Sequence, residues 1–490
     1  MSRLATEWLR AEALDPRSSA AVRAELPGLD AAFDETRMNA LLRKALRCAD
    51  SGTRFVRKQA VYIPGESAIV RYAPAGSIDP GEPSPPAIVS VRVFPSSELA
   101  GSYLASPLQG LAARIAAGRR APSSSMTALL PQLAGTASVF PVDGDLPTLV
   151  DATDGLTAMR VLGDAFKDAG RSVPGTRCEV GLEHYGRRHR CVLRYDLSLN
   201  GSTSEPVATV YGKVACDDRG EAASATLEAL RGVPGLERYV RVPQTLGYVR
   251  DLRLALMESV PGTTAIASQL RDATGDVRAL PRSNGVEGSI TAAGHLAAAI
   301  HGSGVGSDTI RGAPDELGEL AAAARVLRRC SPLLGNAFSG WADEVALLET
   351  ATIAMPPGFS HGDFTHSQLM FDGTRFALVD FDTVCRAEPA LDVGHFLAHL
   401  RLAVRKRTGP SPGGSELAER LGMRFLHAYM ETAGLDEARG SDLLARAHVY
   451  ELVSLLRVAF HGWLKFKPKR VELALGLIRD RLAAWGAAAT

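Results

Sequence analysis

The sequence predicts an α+β protein: a β-rich stretch followed by an α-rich one, with an extra α/β unit in front. Three observations carry this expectation. Short alternating runs cluster between about residues 60 and 94 and again between 178 and 214. After Val260-Pro261-Gly262 the pattern turns helical almost to the end. The helical half is interrupted by a single hairpin signal, where Leu369-Met370-Phe371 and Phe376-Ala377-Leu378-Val379 flank Asp372-Gly373-Thr374-Arg375. Asp-Gly between apolar runs is the chemistry of a tight β-hairpin.

Length and composition bound the answer. A chain of 490 residues exceeds one ordinary core, so two or three domains are expected. The expected divisions are an extra unit over 1–150, a β-rich lobe over 151–260 and an α-rich lobe over 261–490. Apolar residues make up 46% and charged residues 22%, ordinary for a globular protein. The net charge of +1 gives no overall field for nucleic acid or membrane. Six cysteines without a CxxC pair argue against a disulfide framework or structural zinc. The charged start lacks a signal-peptide core, and no apolar run reaches membrane-spanning length. A cytoplasmic location is the expectation.

In order along the chain, residues 1–50 read as helical, with breaks at Pro16 and Pro27. Ala60-Val61-Tyr62-Ile63 and Ser67-Ala68-Ile69-Val70-Arg71-Tyr72 flank Pro64-Gly65-Glu66, a hairpin turn, and 87–94 form a third strand. The pattern recurs in 178–183, 190–195 and 207–214. Aligning the two sets matches Val70-Arg71-Tyr72 with Leu193-Arg194-Tyr195, and Val91-Arg92-Val93 with Gly212-Lys213-Val214. Duplication and coincidence are equal readings of so short a similarity. A helix to about Leu230 follows Asp218, strands resume at 239–249 and 252–257, and 289–301 and 416–433 are clear helices. The junction of the two lobes is the expected cleft.

The hairpin carries the chemistry. His361-Gly362-Asp363-Phe364 and Gln368 precede it, and Val379-Asp380-Phe381-Asp382 closes it. Folding back would place Asp363 and Gln368 opposite Asp380. Such oxygen ligands suit Mg²⁺, a hard ion usually held by one or two carboxylates together with substrate phosphates. That pattern points to phosphoryl transfer.

With these residues in place, about 175–490 of the chain resembles the aminoglycoside phosphotransferase-like kinases, a branch of the protein-kinase-like fold. The motifs run in the family's order: Lys213 within Val210-Tyr211-Gly212-Lys213-Val214, a hinge-like Leu256-Met257-Glu258-Ser259-Val260-Pro261-Gly262, the helix ending at His301, the His-Gly-Asp loop, the Val-Asp-Phe-Asp strand, and Pro389-Ala390-Leu391-Asp392-Val393-Gly394. The resemblance implies a bilobal fold and phosphoryl transfer from ATP with Mg²⁺. Asp363 would accept or orient the proton of the attacking hydroxyl. Asp380 and Gln368 would hold the metal. Lys213 would meet the α/β-phosphates, paired to Glu228. That partner is chosen over Glu221, whose spacing from Asp218 suits helix capping. The backbone from Glu258 to Val260 would bond adenine, Asp392 would hold the catalytic loop through backbone amides, and His361 would brace it.

Two departures stand out. Gln368 replaces the family's usual asparagine, a feature shared with maltokinase-like relatives, which also carry an extra N-terminal domain. Glu183-His184-Tyr185-Gly186-Arg187-Arg188 is no GxGxxG loop; its backbone amides could still cover the phosphates, with Arg187 or Arg188 adding charge. The expected acceptor is a small-molecule hydroxyl on a sugar, an aminoglycoside-like antibiotic or an amino alcohol. The competing reading is a pseudokinase scaffold: Arg92 stands where the second copy has Lys213, and residues 1–150 have no catalytic loop of their own.

Overall fold

The structure, a computed structural model, describes residues 11–46, 54–75, 88–117, 125–186, 189–199, 205–275 and 285–488. Alternation of apolar and polar residues builds two five-stranded antiparallel sheets. The first contains β1 (Phe55–Ile63), β2 (Ser67–Pro74), β3 (Val89–Val93), β4 (Thr127–Leu130) and β5 (Gly135–Val139), in the order β1-β2-β3-β5-β4. The second contains β6 (Arg177–Tyr185), β7 (Arg190–Ser198), β8 (Ala208–Ala215), β9 (Thr245–Val249) and β10 (Leu254–Glu258), in the order β6-β7-β8-β10-β9.

The two sheets share strand order, direction and register. Arg92 on β3 faces Ile69 on β2 and Thr136 on β5. Lys213 on β8 faces Val192 on β7 and Ala255 on β10. In each sheet the last two strands are joined by a short 3-10 turn ending in a left-handed residue, Ala134 or Arg253, both at φ 48°. The short sequence similarity left duplication and coincidence open. One strand order, one register and one turn geometry make the two sheets a repeated fold.

The helical half carries two small ladders. β11 (Gly358–Ser360) pairs with β14 (Cys385–Ala387), and β12 (Leu369–Phe371) pairs with β13 (Phe376–Leu378). The hairpin turn forms because Asp372 Oδ1 accepts the amides of Thr374 (2.8 Å) and Arg375 (3.0 Å), a side-chain-to-backbone turn typical of Asp. Gly262 explains the glycine of Val-Pro-Gly: at φ +115° its missing Cβ would lie 2.4 Å from the Phe371 carbonyl oxygen. The segment after β10 can therefore lie directly on the hairpin, with Thr263 and Phe371 bonding each other's backbone.

The cores do not follow the expected divisions. One cluster joins the first sheet and its preceding helices to the late helices Ala313–Cys330, Pro332–Thr350, Glu437–Leu464 and Pro468–Ala488. Within it Tyr62 meets Trp463 edge-on at 5.9 Å, and both are fully buried. A second cluster lies under the second sheet and takes in Phe140, Leu146 and Leu149 from the connector. A third fills the helical lobe around Phe364, Phe396 and Phe425. No helix among the described residues is long and apolar enough to cross a membrane.

Candidate active site

The loop after β11 is held by one buried carboxylate. Asp392 lies in the first turn of the helix Pro389–Thr408 and is fully buried. It accepts the backbone amides of His361 (2.6 Å) and Gly362 (2.8 Å), and His301 Nε2 lies at 3.1 Å. Burial alone would raise its pKa. The hydrogen bond and charge of His301, the charge of His361 and the His361 amide outweigh that and hold it below the ordinary value. Gly362 takes φ +78°, and a Cβ there would fall 2.2 Å from the Thr383 carbonyl oxygen. Only glycine fits that approach. His361 braces the loop through Nε2, 3.1 Å from the Val379 carbonyl.

So held, the loop presents Asp363 at the open end of the hairpin, where Asp380 emerges. Gln368 Nε2 lies between them, 3.1 Å from Asp363 Oδ2 and 3.3 Å from Asp380 Oδ2. Turning the carboxamide over would put its oxygen at the same point. Asp380 has φ +71°, a left-handed backbone unusual for a residue other than glycine and typical of strained functional positions.

Asp363 has a second partner. His395 Nε2 lies 3.0 Å from Asp363 Oδ1, and its Nδ1 lies 3.0 Å from Ser454 Oγ. Burial pushes the Asp363 pKa up. The hydrogen bond and charge of His395, with the charges of His361 and His399, win and hold it well below the usual carboxylate range. It is therefore a charged acceptor at neutral pH.

The roof of the site is the second sheet. Lys213 Nζ lies 2.5 Å from Asp380 Oδ1 and 2.6 Å from Asp382 Oδ2. Arg190, the first residue of β7, joins the cluster 3.0 Å from Asp380 and 3.6 Å from Asp382. Two carboxylates thus share two cations across the lobes. Burial opposes the charge of Asp380, but Lys213 and Arg190 keep its pKa below the ordinary value.

The pairing of Lys213 with Glu228 is corrected. The helix Arg219–Arg231 buries Ala223, Ser224, Leu227 and Leu230, which leaves Glu228 on its exposed face; the lysine is paired to Asp380 and Asp382 instead. The capping role given to the Asp218–Glu221 spacing is corrected too. Asp218 makes no side-chain cap and takes the Tyr248 hydroxyl at 2.7 Å, while Glu221 pairs with Arg250. In the hinge-like segment the amides of Glu258 and Ser259 already donate to Gln244 (2.9 Å) and Thr209 (3.3 Å), and the Glu258 carboxylate pairs with Arg171. Val260 follows, half-buried. Arg187 and Arg188 lie outside the described residues.

The donor set fits a hard divalent cation. Asp380 and Asp382 offer carboxylate oxygens and Gln368 a carboxamide oxygen. No group of three His, Cys, Asp or Glu among the described residues forms a metal cage, so a cation here would complete its shell with phosphate oxygens and water.

Sequence reasoning missed Arg190 and gave His395 and Asp382 no firm catalytic role. His395 had a signal: it lies three residues after Asp392, on the same helix face. Arg190 shares a strand face with Val192, opposite Lys213, but that face is visible only once the register is known. A recess of about 740 Å³ lies at the turn end of the hairpin among Arg238, Tyr239, Ser289, His295, Phe371 and Arg375.

No curated protein matches the chain. Among solved structures, a choline/ethanolamine kinase family protein from Mesorhizobium loti is 14% identical and covers 61% of this chain and 87% of its own, with TM-score 0.43. A glucosamine kinase is 15% identical and covers 91% of this chain and 99% of its own, with TM-score 0.42. A thermostable mutant of an aminoglycoside phosphotransferase, in a ternary complex with ADP and hygromycin B, is 13% identical and covers 66% and 97%, with TM-score 0.43. The model of the phosphotransferase enzyme family matches residues 218–440, from the helix after β8 through the Asp363–Gln368–Asp380 hairpin and Asp392. Over residues 218–440 the chain is similar to the phosphotransferase enzyme family.

Proposed function

We propose that the protein transfers the γ-phosphoryl group of ATP, with Mg²⁺, to a hydroxyl group of a small molecule. The observation that carries this reading is the juxtaposition at the open end of the hairpin. A charged, solvent-reachable Asp363 and a cation-paired Asp380 are bridged by Gln368, with Lys213 reaching down from the roof. Asp363 accepts the acceptor's proton as its oxygen bonds to the γ-phosphorus and the bond to the β-phosphate oxygen breaks, releasing ADP. His395 and Gln368 aim the carboxylate by engaging one oxygen each. Lys213 orients the phosphates as a point charge. Asp380, Asp382 and Gln368 are the residues that would hold Mg²⁺, which offsets phosphate charge in the transition state when bound.

One observation favours the scaffold reading: Lys213 has no glutamate partner from the helix Arg219–Arg231. A single assay separates the two. Purified protein with ATP, Mg²⁺ and a panel of sugars, aminoglycosides and amino alcohols should release ADP with at least one acceptor. ATP binding without any turnover across a broad panel would support the scaffold.

A further inference from the structure

We propose that Arg190 is a phosphate-binding residue of the nucleotide site, taking the role that the missing glycine-rich loop leaves open. The proposal rests on the phosphotransferase reading and adds a residue to it.

Arg190 stands at the end of the β6–β7 turn, opposite Ala215 and diagonal to Lys213 on the same face of the sheet. Both cations therefore look into the cleft. Its side-chain hydrogen bonds among the described residues run through one nitrogen, Nη1, 3.1 Å and 3.0 Å from the two Asp380 oxygens. A guanidinium has five donor hydrogens in a fixed fork, so Nε and Nη2 retain donors for another anion. Exposure gives the direction. The Arg190 side chain is 39% exposed, while Asp380 and Asp382 are 16% and 7%. The arginine is thus more open to solvent than the carboxylates it pairs with, and an incoming phosphate chain can reach it.

The turn is also anchored from behind. Gln59 donates to the Tyr185 carbonyl at 2.9 Å, Arg71 donates to the carbonyls of Tyr185 (3.2 Å) and Gly186, and the Tyr185 hydroxyl donates to Asp143 at 2.5 Å. Arg71 lies over the Tyr185 ring at 3.4 Å. The first sheet thus fixes the end of β6, which pairs with the start of β7 where Arg190 stands. A cation arriving at Asp380 competes with the guanidinium there, and a polyphosphate offers that fork bidentate acceptors a short rotation away.

Titration calorimetry of ADP, ATP and adenosine in Mg²⁺ buffer tests this with wild type, Arg190→Ala and Arg190→Lys. Arg190→Ala should weaken ADP and ATP about ten- to a hundredfold and leave adenosine unchanged, with Arg190→Lys between. Retained adenosine binding also shows that the variant is folded. ADP binding as tight as wild type or tighter in Arg190→Ala would overturn the proposal, because the arginine would then be only a counterion for Asp380. Wild type binding none of the three would overturn both the proposal and the kinase reading.

Discussion

At the residue scale, Asp363 and His395 form the pair on which the proposed transfer rests. His395 is held on both sides, by Asp363 and by Ser454, so its ring cannot turn without losing a bond. Asp363→Asn keeps the shape but removes the charged acceptor. It should lower the rate of transfer by roughly 10²- to 10⁴-fold, the usual contribution of a general base, with nucleotide affinity largely kept. Parallel kinetics and ADP titration check this. A second residue predicts a pH response. His448 is buried, its Nδ1 lies 3.0 Å from Arg481 Nη2, and its ring stacks on Trp485. Burial, with the charges of Arg481 and Arg401, lowers its pKa to about 3. A histidine lowered in the fold stays neutral while the unfolded chain binds a proton below about 6.5. Stability is therefore full above that pH and falls as pH drops towards 3, by roughly 2 kcal/mol at pH 5. His448→Gln should flatten that part of the urea-stability profile between pH 7 and 5.

Among elements, the strands and the hairpin were legible because their signals are local. Alternation marked the three strands of each repeat, and Asp372-Gly373 marked the turn that brings Asp363 to Asp380. The Glu228 pairing failed although its signal was present. Ala223, Leu227 and Leu230 fix the helix phase and turn residue 228 outward, whereas motif order alone pointed inward. Arg190 was hidden because a strand face acquires meaning only when its neighbour's register is set. Two loops give element-scale predictions. Gly362→Ala strains a φ of +78° and collides with Thr383, so it should abolish transfer; activity within twofold of wild type would contradict the loop geometry. Arg71→Ala strips the Tyr185 and Gly186 carbonyls and Asp143 of a buried partner. It should destabilise the protein by about 3 kcal/mol or more, read as a lower urea midpoint.

The whole molecule is more tightly joined than its repeated sheets suggest. Nothing local in the sequence reports that the first sheet faces the late helices, because apolar faces do not name their partners. Yet Tyr62, Leu42 and Val22 share a core with Trp463, Leu456 and Ile478. Removing residues 1–150 would expose that face of the late helices, where each large apolar side chain is worth about 1.5–3 kcal/mol. A chain beginning at 151 should aggregate or bind a hydrophobic dye, and the intact protein should unfold in one cooperative step. A soluble truncated chain with wild-type melting would contradict the shared core. The first sheet would then be separable from the phosphotransferase site rather than a buttress for it.

The central claim is that the Asp363–Gln368–Asp380 hairpin transfers phosphate under the roof formed by Lys213. Its most direct measurement is Mg²⁺-dependent formation of a phosphorylated product, followed by mass spectrometry across a panel of hydroxyl-bearing small molecules, with wild type and Asp363→Asn side by side. The account predicts a product 80 Da heavier than one acceptor, the mass of one added phosphoryl group replacing a proton, and its loss in the variant. Undiminished product from Asp363→Asn would contradict it.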